Sequence, residues 1–204
     1  MKKENTIETY LTYSSKIGDW KALYKAVSEK YQINSALYPG SHIDIAPSFV
    51  IPKVTYVDNF KGAIRFFKQM DDIQHYINQQ KEYAQSSEVT FIGQDYTEKI
   101  AVPLVDLIIS QYAGFVGQAT KAYLKPGGIL LCNDSHADAT LAKFDHDFEL
   151  IGVIKTGNQI TTAHLEDYFI LSRKRTVDLE KIKATMKGPK YQQNAENYIF
   201  RKRK

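Results

Sequence analysis

Asp58 is the residue whose position most suggests chemistry. It ends a short apolar run, Val54-Thr55-Tyr56-Val57, and lies eighteen residues beyond Gly40. Gly40 itself follows an earlier run, Ser35-Ala36-Leu37-Tyr38, through Pro39, and Ser41 comes next. A carboxylate at about that distance past a glycine turn commonly accepts hydrogen bonds from ribose hydroxyls. A glycine there lets the backbone approach a ligand closely. Asn59 follows Asp58. After a third run, Val89-Thr90-Phe91-Ile92, comes Gly93-Gln94-Asp95-Tyr96. Asp95 is suited to accept from an adenine amino group, and Tyr96 to pack on the ring. After a fourth run, 105–109, come Ser110, Gln111 and Tyr112. Each residue also has a plain structural reading, as a turn glycine or a helix N-cap. Their joint register, strand after strand, is what suits a nucleoside lying across strand tips.

The runs that carry these residues are too short for helices and rich in β-branched side chains. They read as buried parallel strands. A fifth, Ile129-Leu130-Leu131-Cys132, follows Pro126-Gly127-Gly128. Helical stripes lie between most of them. Ala63, Ile64, Phe67, Met70, Ile73 and Ile77 predict one long helix, and Val116, Ala119 and Tyr123 a weaker one. At the start, Ile7 and Leu11 belong to a helix that Gly18 ends. Trp20, Leu23, Tyr24, Val27 and Tyr31 line one face of the next, with Asp19 as its cap. Strands alternating with helices imply an α/β fold with a parallel sheet. Segments 148–154 and 168–172 are strand candidates with no helix between them, only the turn Thr156-Gly157-Asn158. They predict an antiparallel element at the sheet edge.

Composition narrows the field. The 204 residues are 25% charged and 43% hydrophobic, which excludes disordered, collagenous and coiled-coil classes. One cysteine, Cys132, forms no disulfide framework and fits a reducing compartment. No apolar run is long enough to span a membrane, and the opening MKKENTIETY lacks the apolar segment of a secretory signal. The expectation is a cytoplasmic domain with no membrane partner. The loop after the fifth run holds Asn133, Asp134, His136 and Asp138. Asp134 and His136 are suited to act as a base or to orient an acceptor; the alternative is a solvated polar loop. Asp145-His146-Asp147 does not match a zinc spacing, and no metal is expected. Residues 173–204 carry 11 basic and 3 acidic side chains. Tyr191, Tyr198 and Phe200 interleave with them, and such aromatics can stack on unpaired RNA bases.

From these residues the chain resembles a class I S-adenosylmethionine-dependent methyltransferase over roughly residues 33–172. Leu124-Lys125-Pro126-Gly127-Gly128 is similar to the family's LKPGG turn into strand five. Val57-Asp58 resembles the acidic end of strand two, and Gly93-Gln94-Asp95 the adenine-contacting segment. The resemblance implies an open, mostly parallel seven-stranded sheet of order 3-2-1-4-5-7-6, last strand antiparallel, flanked by helices. It implies S-adenosylmethionine as cofactor, with Tyr38, Pro39, Gly40, Ser41, Asp58, Asn59, Asp95, Tyr96, Ser110 and Gln111 around it. The acceptor would be a small molecule or RNA. Asp134, His136 and Tyr112 are the catalytic candidates. The first loop, Leu37 to Asp44, departs from the family: it has one glycine where a GxGxG-like loop is usual. Pro47 and Pro52 fall in the short link to strand two, where a full helix hardly fits. Ser110-Gln111-Tyr112-Ala113 resembles the acceptor-amine motif of nitrogen methyltransferases but lacks its paired prolines, so no acceptor atom is assigned. Two readings stand, a methyltransferase and a non-catalytic nucleoside-binding or interaction module on the same fold. A nicotinamide-dependent oxidoreductase would need a GxGxxG turn, which is absent. The expected organisation is a helical cap (1–32), the methyltransferase-like core (33–172) and a basic tail (173–204), in one folded unit.

Overall fold

The structure, a computed structural model, describes residues 6–18, 20–174 and 176–203. The capping role expected of Asp19 lies outside the described residues. The described residues have an α/β fold with eight strands, mostly parallel, flanked by helices. It divides into two compact units, Met1–Ile100 and Ala101–Lys204.

The first unit opens with helices α1 (Thr6–Ile17) and α2 (Trp20–Tyr31). Gly18, at φ +90°, ends α1, and its N–H returns to Ser14 O at 3.2 Å. Leu23, Tyr24 and Val27 form the buried face of α2, as their helical spacing predicts. Strands β1 (Ser35–Pro39) and β2 (Lys53–Val57) follow, joined by a 3-10 helix, Ala46–Phe49. Pro47 sits in that helix's first turn, where a missing N–H costs nothing. The long helix expected over 63–77 is two helices, α3 (Lys61–Phe67) and α4 (Met70–Gln80), interrupted at Lys68 and Gln69. Their buried faces are Ala63, Phe66 and Phe67, then Ile73 and Ile77. Strand β3 (Glu88–Ile92) completes the parallel order β3-β2-β1. Pro39 pairs with Val57, and Val57 with Ile92. That register brings Gly40, Asp58 and Gly93 to the same carboxyl end.

The second unit holds β4 (Val105–Ser110), α5 (Val116–Thr120), β5 (Leu124–Cys132), α6 (Asp138–Lys143) and β6 (Phe148–Ile154). Strand β7 (Ile160–Thr161), helix α7 (Leu179–Thr185) and strand β8 (Asn197–Lys202) follow. The strand order here is β4-β5-β8-β6-β7, with β8 antiparallel to both β5 and β6. The sheet expectation is therefore corrected in one element. Segment 168–172 is not the antiparallel core strand. A 3-10 helix, Leu165–Phe169, occupies it, followed by a single bridge from Leu171 to Tyr191. The antiparallel strand comes from the segment read as a basic tail. Its residues Tyr198, Ile199 and Phe200 are buried on both faces. The charges Arg201, Lys202 and Arg203 beside them hide this run in a charge count. Phe169 packs its ring on Tyr198 and Phe200, at 5.3 and 6.4 Å between centroids. The two-residue β7 pairs with β6 and raises the strand total from seven to eight. Among the described residues no helix is long and apolar enough to cross a membrane.

Candidate functional site

In the first unit the strand tips converge on Asp58. Its Oδ2 accepts from the His42 N–H at 2.7 Å, and its Oδ1 from the Phe60 N–H at 2.7 Å. Its own N–H goes to Ile92 O, and the Gly40 N–H to Val57 O. Asp58 is 9% exposed. The loop that reaches it turns through two left-handed residues, Gly40 at φ +65° and His42 at φ +51°. The imidazole of His42 stacks on Phe60 at 5.3 Å and 21°, and lies 4.9 Å from the ring of Tyr13 on α1. Burial lowers the His42 pKa, against the opposing pull of Asp58. Beside Asp58, Asn59 Nδ2 donates to Asp95 Oδ2 at 3.2 Å. Asp95 Oδ1 accepts from both the N–H and the hydroxyl of Thr97, which holds its pKa down.

The other acid of this loop faces inward. Asp44 is fully buried. Its Oδ2 accepts from the hydroxyls of Tyr24 at 2.9 Å and Tyr38 at 3.3 Å, and its Oδ1 from the Ala46 N–H at 3.0 Å. Burial pushes the Asp44 carboxyl up to about 6, with these hydrogen bonds opposing the rise. The same desolvation raises both tyrosines well above their ordinary value. Tyr38 thus points into the core, and Ser41 is also buried. Pro39 is buried too, while Gly40, Asn59, Asp95 and Tyr96 reach the surface to differing degrees.

In the second unit the residues beyond β4 and β5 hold one another. The Ser110 hydroxyl donates to Asp138 Oδ2 at 2.6 Å, and the Gly117 N–H reaches the same carboxylate at 3.0 Å. Asp138 is 2% exposed, and its burial pushes it up to about 6. Gln111 donates to Asn197 of β8 and accepts from Asn133 Nδ2 at 2.8 Å. Asp134 accepts from the N–H and hydroxyl of Thr140, at 2.7 and 2.8 Å. Burial raises its pKa, with those two bonds opposing. His136 Nδ1 lies 3.0 Å from Ser135 Oγ, and Tyr112 is 63% exposed at φ +57°. Asp145 and Asp147 both receive Lys121 Nζ, at 2.7 and 2.6 Å, so the acid-rich stretch around His146 forms an ion-pair knot. Among the described residues no three His, Cys, Asp or Glu side chains converge as a metal site. A cavity of about 370 Å³ opens beside Lys143, Phe148, His164, Glu166 and Arg203, at the end of β5 and β6 away from Ser110 and Asn133.

Sequence reasoning singles out Asp58 and its neighbours but not the rings packed on His42. Tyr13 and Phe60 carry no motif; only the fold sets them on either side of His42. The aromatic residues that suggested RNA are not available to bases, since Tyr191, Tyr198 and Phe200 are all buried.

No family model matches the sequence, and no curated protein matches it. The fold, by contrast, has solved counterparts. A methyltransferase from Geobacter sulfurreducens is similar at a TM-score of 0.53 and 10% identity, over 78% of this chain and 87% of that one. TehB from Haemophilus influenzae is similar at a TM-score of 0.52 and 12% identity, over 88% of this chain and 61% of that one. At such identities the likeness is one of fold.

Proposed function

We propose that this chain is an S-adenosylmethionine-dependent methyltransferase in which Asp58 holds the ribose of the cofactor. The observation that carries this reading is the state of the Asp58 carboxylate. Each of its oxygens accepts one backbone N–H. A carboxylate has about four lone-pair sites, so each oxygen retains room for one more donor. Two adjacent acceptors match the two hydroxyls of a ribose. Asn59, Asp95 and Tyr96, on the neighbouring strand tips, are the proposed adenine contacts, and Gly40 allows close backbone approach. Ser110 and Gln111 are left out of the proposed contacts, because Asp138 and Asn197 hold their side chains. The cofactor, when bound, supplies an electrophilic methyl group on a sulfonium for in-line displacement. The chain's part is to bind and orient, which suffices for such a transfer. With the tail aromatics buried, a small molecule is the acceptor class we favour. The single buried cysteine supports a reducing compartment such as the cytoplasm.

Calorimetric titration with S-adenosylmethionine, S-adenosylhomocysteine and adenosine tests this, beside an Asp58→Ala variant. Binding to the wild type that weakens about 100-fold in the variant is expected, from the loss of two charged hydrogen bonds. A folded wild type that binds none of the three would sink the proposal. The second reading, a nucleoside-binding module, draws on Asp44. Asp44, the one acid in the first loop's sequence, is buried against two tyrosine hydroxyls. Adenosine binding as tightly as S-adenosylhomocysteine would favour that module.

A further inference from the structure

We propose that His42 is a ligand-contacting residue of the Asp58 site, its buried ring nitrogen completed by a hydroxyl of the bound nucleoside. This rests on the reading above and adds a residue that does more than shape the loop. Among the described residues, His42 Nδ1 is buried and has no hydrogen-bond partner. Buried polar atoms in folded proteins are nearly always paired, so one left open calls for a partner from outside the chain. Phe60 stacks on the ring and Tyr13 packs against it, and a ligand reaches the nitrogen as Phe60, 53% exposed, shifts aside. The backbone of His42 is held more firmly. His42 sits at φ +51°, a region that side chains other than glycine seldom adopt, and its N–H grips Asp58 Oδ2.

One residue thus holds the Asp58 carboxylate through its backbone and carries an unpartnered ring nitrogen. A phenylalanine would fill the same stack without burying an unpaired atom. A ribose hydroxyl both donates and accepts, and satisfies the nitrogen in either tautomer. The chemistry it recognises is therefore a vicinal diol, shared between the Asp58 oxygens and the imidazole.

The test compares wild type, His42→Phe and Asp58→Ala by calorimetry with S-adenosylhomocysteine and adenosine. His42→Phe keeps the stack at some cost in Tm, because its φ of +51° suits phenylalanine less than histidine, and both ligands are expected to bind the folded variant about tenfold more weakly. A second readout is the ring ¹⁵N resonance of His42, assigned by its absence in His42→Phe. It is expected to move when the wild type is saturated with adenosine. Unchanged affinity in a folded His42→Phe overturns the inference, as does an unmoved ¹⁵N resonance. If Asp58→Ala still abolishes binding in that case, the ribose reading stands and only the role of His42 falls. If the wild type binds neither ligand, both fall together.

Discussion

Asp58 in the first unit and Asp138 in the second both stand beyond the carboxyl end of a parallel strand, where α/β sheets commonly bind ligands. Their surroundings differ in kind. Among the described residues the Asp58 carboxylate accepts from two backbone N–H groups, and it keeps some exposure. Asp138 is closed in by a serine hydroxyl and a glycine N–H and is only 2% exposed. Around Asp138 the neighbouring polar groups Gln111, Asn133 and Asn197 are likewise paired with one another. A polar network that satisfies itself fixes packing, whereas one with acceptors left over suits a ligand. The same topological position thus leaves acceptor capacity on the carboxylate in one unit and uses it up within the fold in the other.

The largest way to break this comparison is to remove the strand that the second network depends on. Deleting 197–204 takes away Asn197 and the buried Tyr198, Ile199 and Phe200. At about 1.5–3 kcal/mol per buried apolar side chain, the loss rivals the ~5–15 kcal/mol stability of a typical domain. The shortened chain is expected to lose cooperative unfolding of residues 101–196 by circular dichroism and hydrogen exchange. A variant that stays folded would mean the tail is an accessory after all.

Asp138→Ala comes next. It leaves Ser110 and the Gly117 N–H without their acceptor inside the fold. A cost of about 2–4 kcal/mol is expected, read from urea midpoints at pH 7. Binding of S-adenosylhomocysteine is expected to survive wherever the variant remains folded. A loss of binding with no loss of stability would reverse the roles assigned to Asp138 and Asp58.

The smallest effect is in pH. Asp44 and Asp138, both pushed up to about 6, bind protons in the folded chain that they release when unfolded. With more protons bound folded than unfolded, stability falls as pH rises from about 4, the ordinary Asp value, to about 6. Glu82, held down to about 2 by Lys21 and Lys25, acts in the opposite direction below its unfolded value. Asp44→Asn is expected to remove roughly half of the downward slope, on the order of 1–3 kcal/mol across the window. Denaturation midpoints between pH 4.5 and 7 check this, and an unaltered slope would show that Asp44 is not the buried acid it appears in the fold.

How far the sequence could be read follows the same division. Runs such as Val54 to Val57 and Ile129 to Cys132 announce themselves as strands, because burial on both faces demands unbroken apolar stretches. The placing of Asp58 followed from those runs, since a strand tip is a sequence position. Strand β8 escaped notice because its three apolar residues lie among charges that project from its end. Tyr168 and Phe169 looked like a strand because aromatic composition does not tell a strand from a turn that packs on one.

By itself, then, the sequence determined the alternation of strands and helices, the short link between β1 and β2, and the carboxylate at the end of β2. Each is set by local spacing, by proline or by a run length. Which strand enters between β5 and β6, which acids face inward, and which rings enclose His42 were decided only by tertiary structure. Those depend on partners far apart in the chain: Tyr24 and Asp44, Gln111 and Asn197, Tyr13 and Phe60. Burial of a polar group is settled by what the rest of the fold brings to it, and no residue's own neighbours in sequence record that.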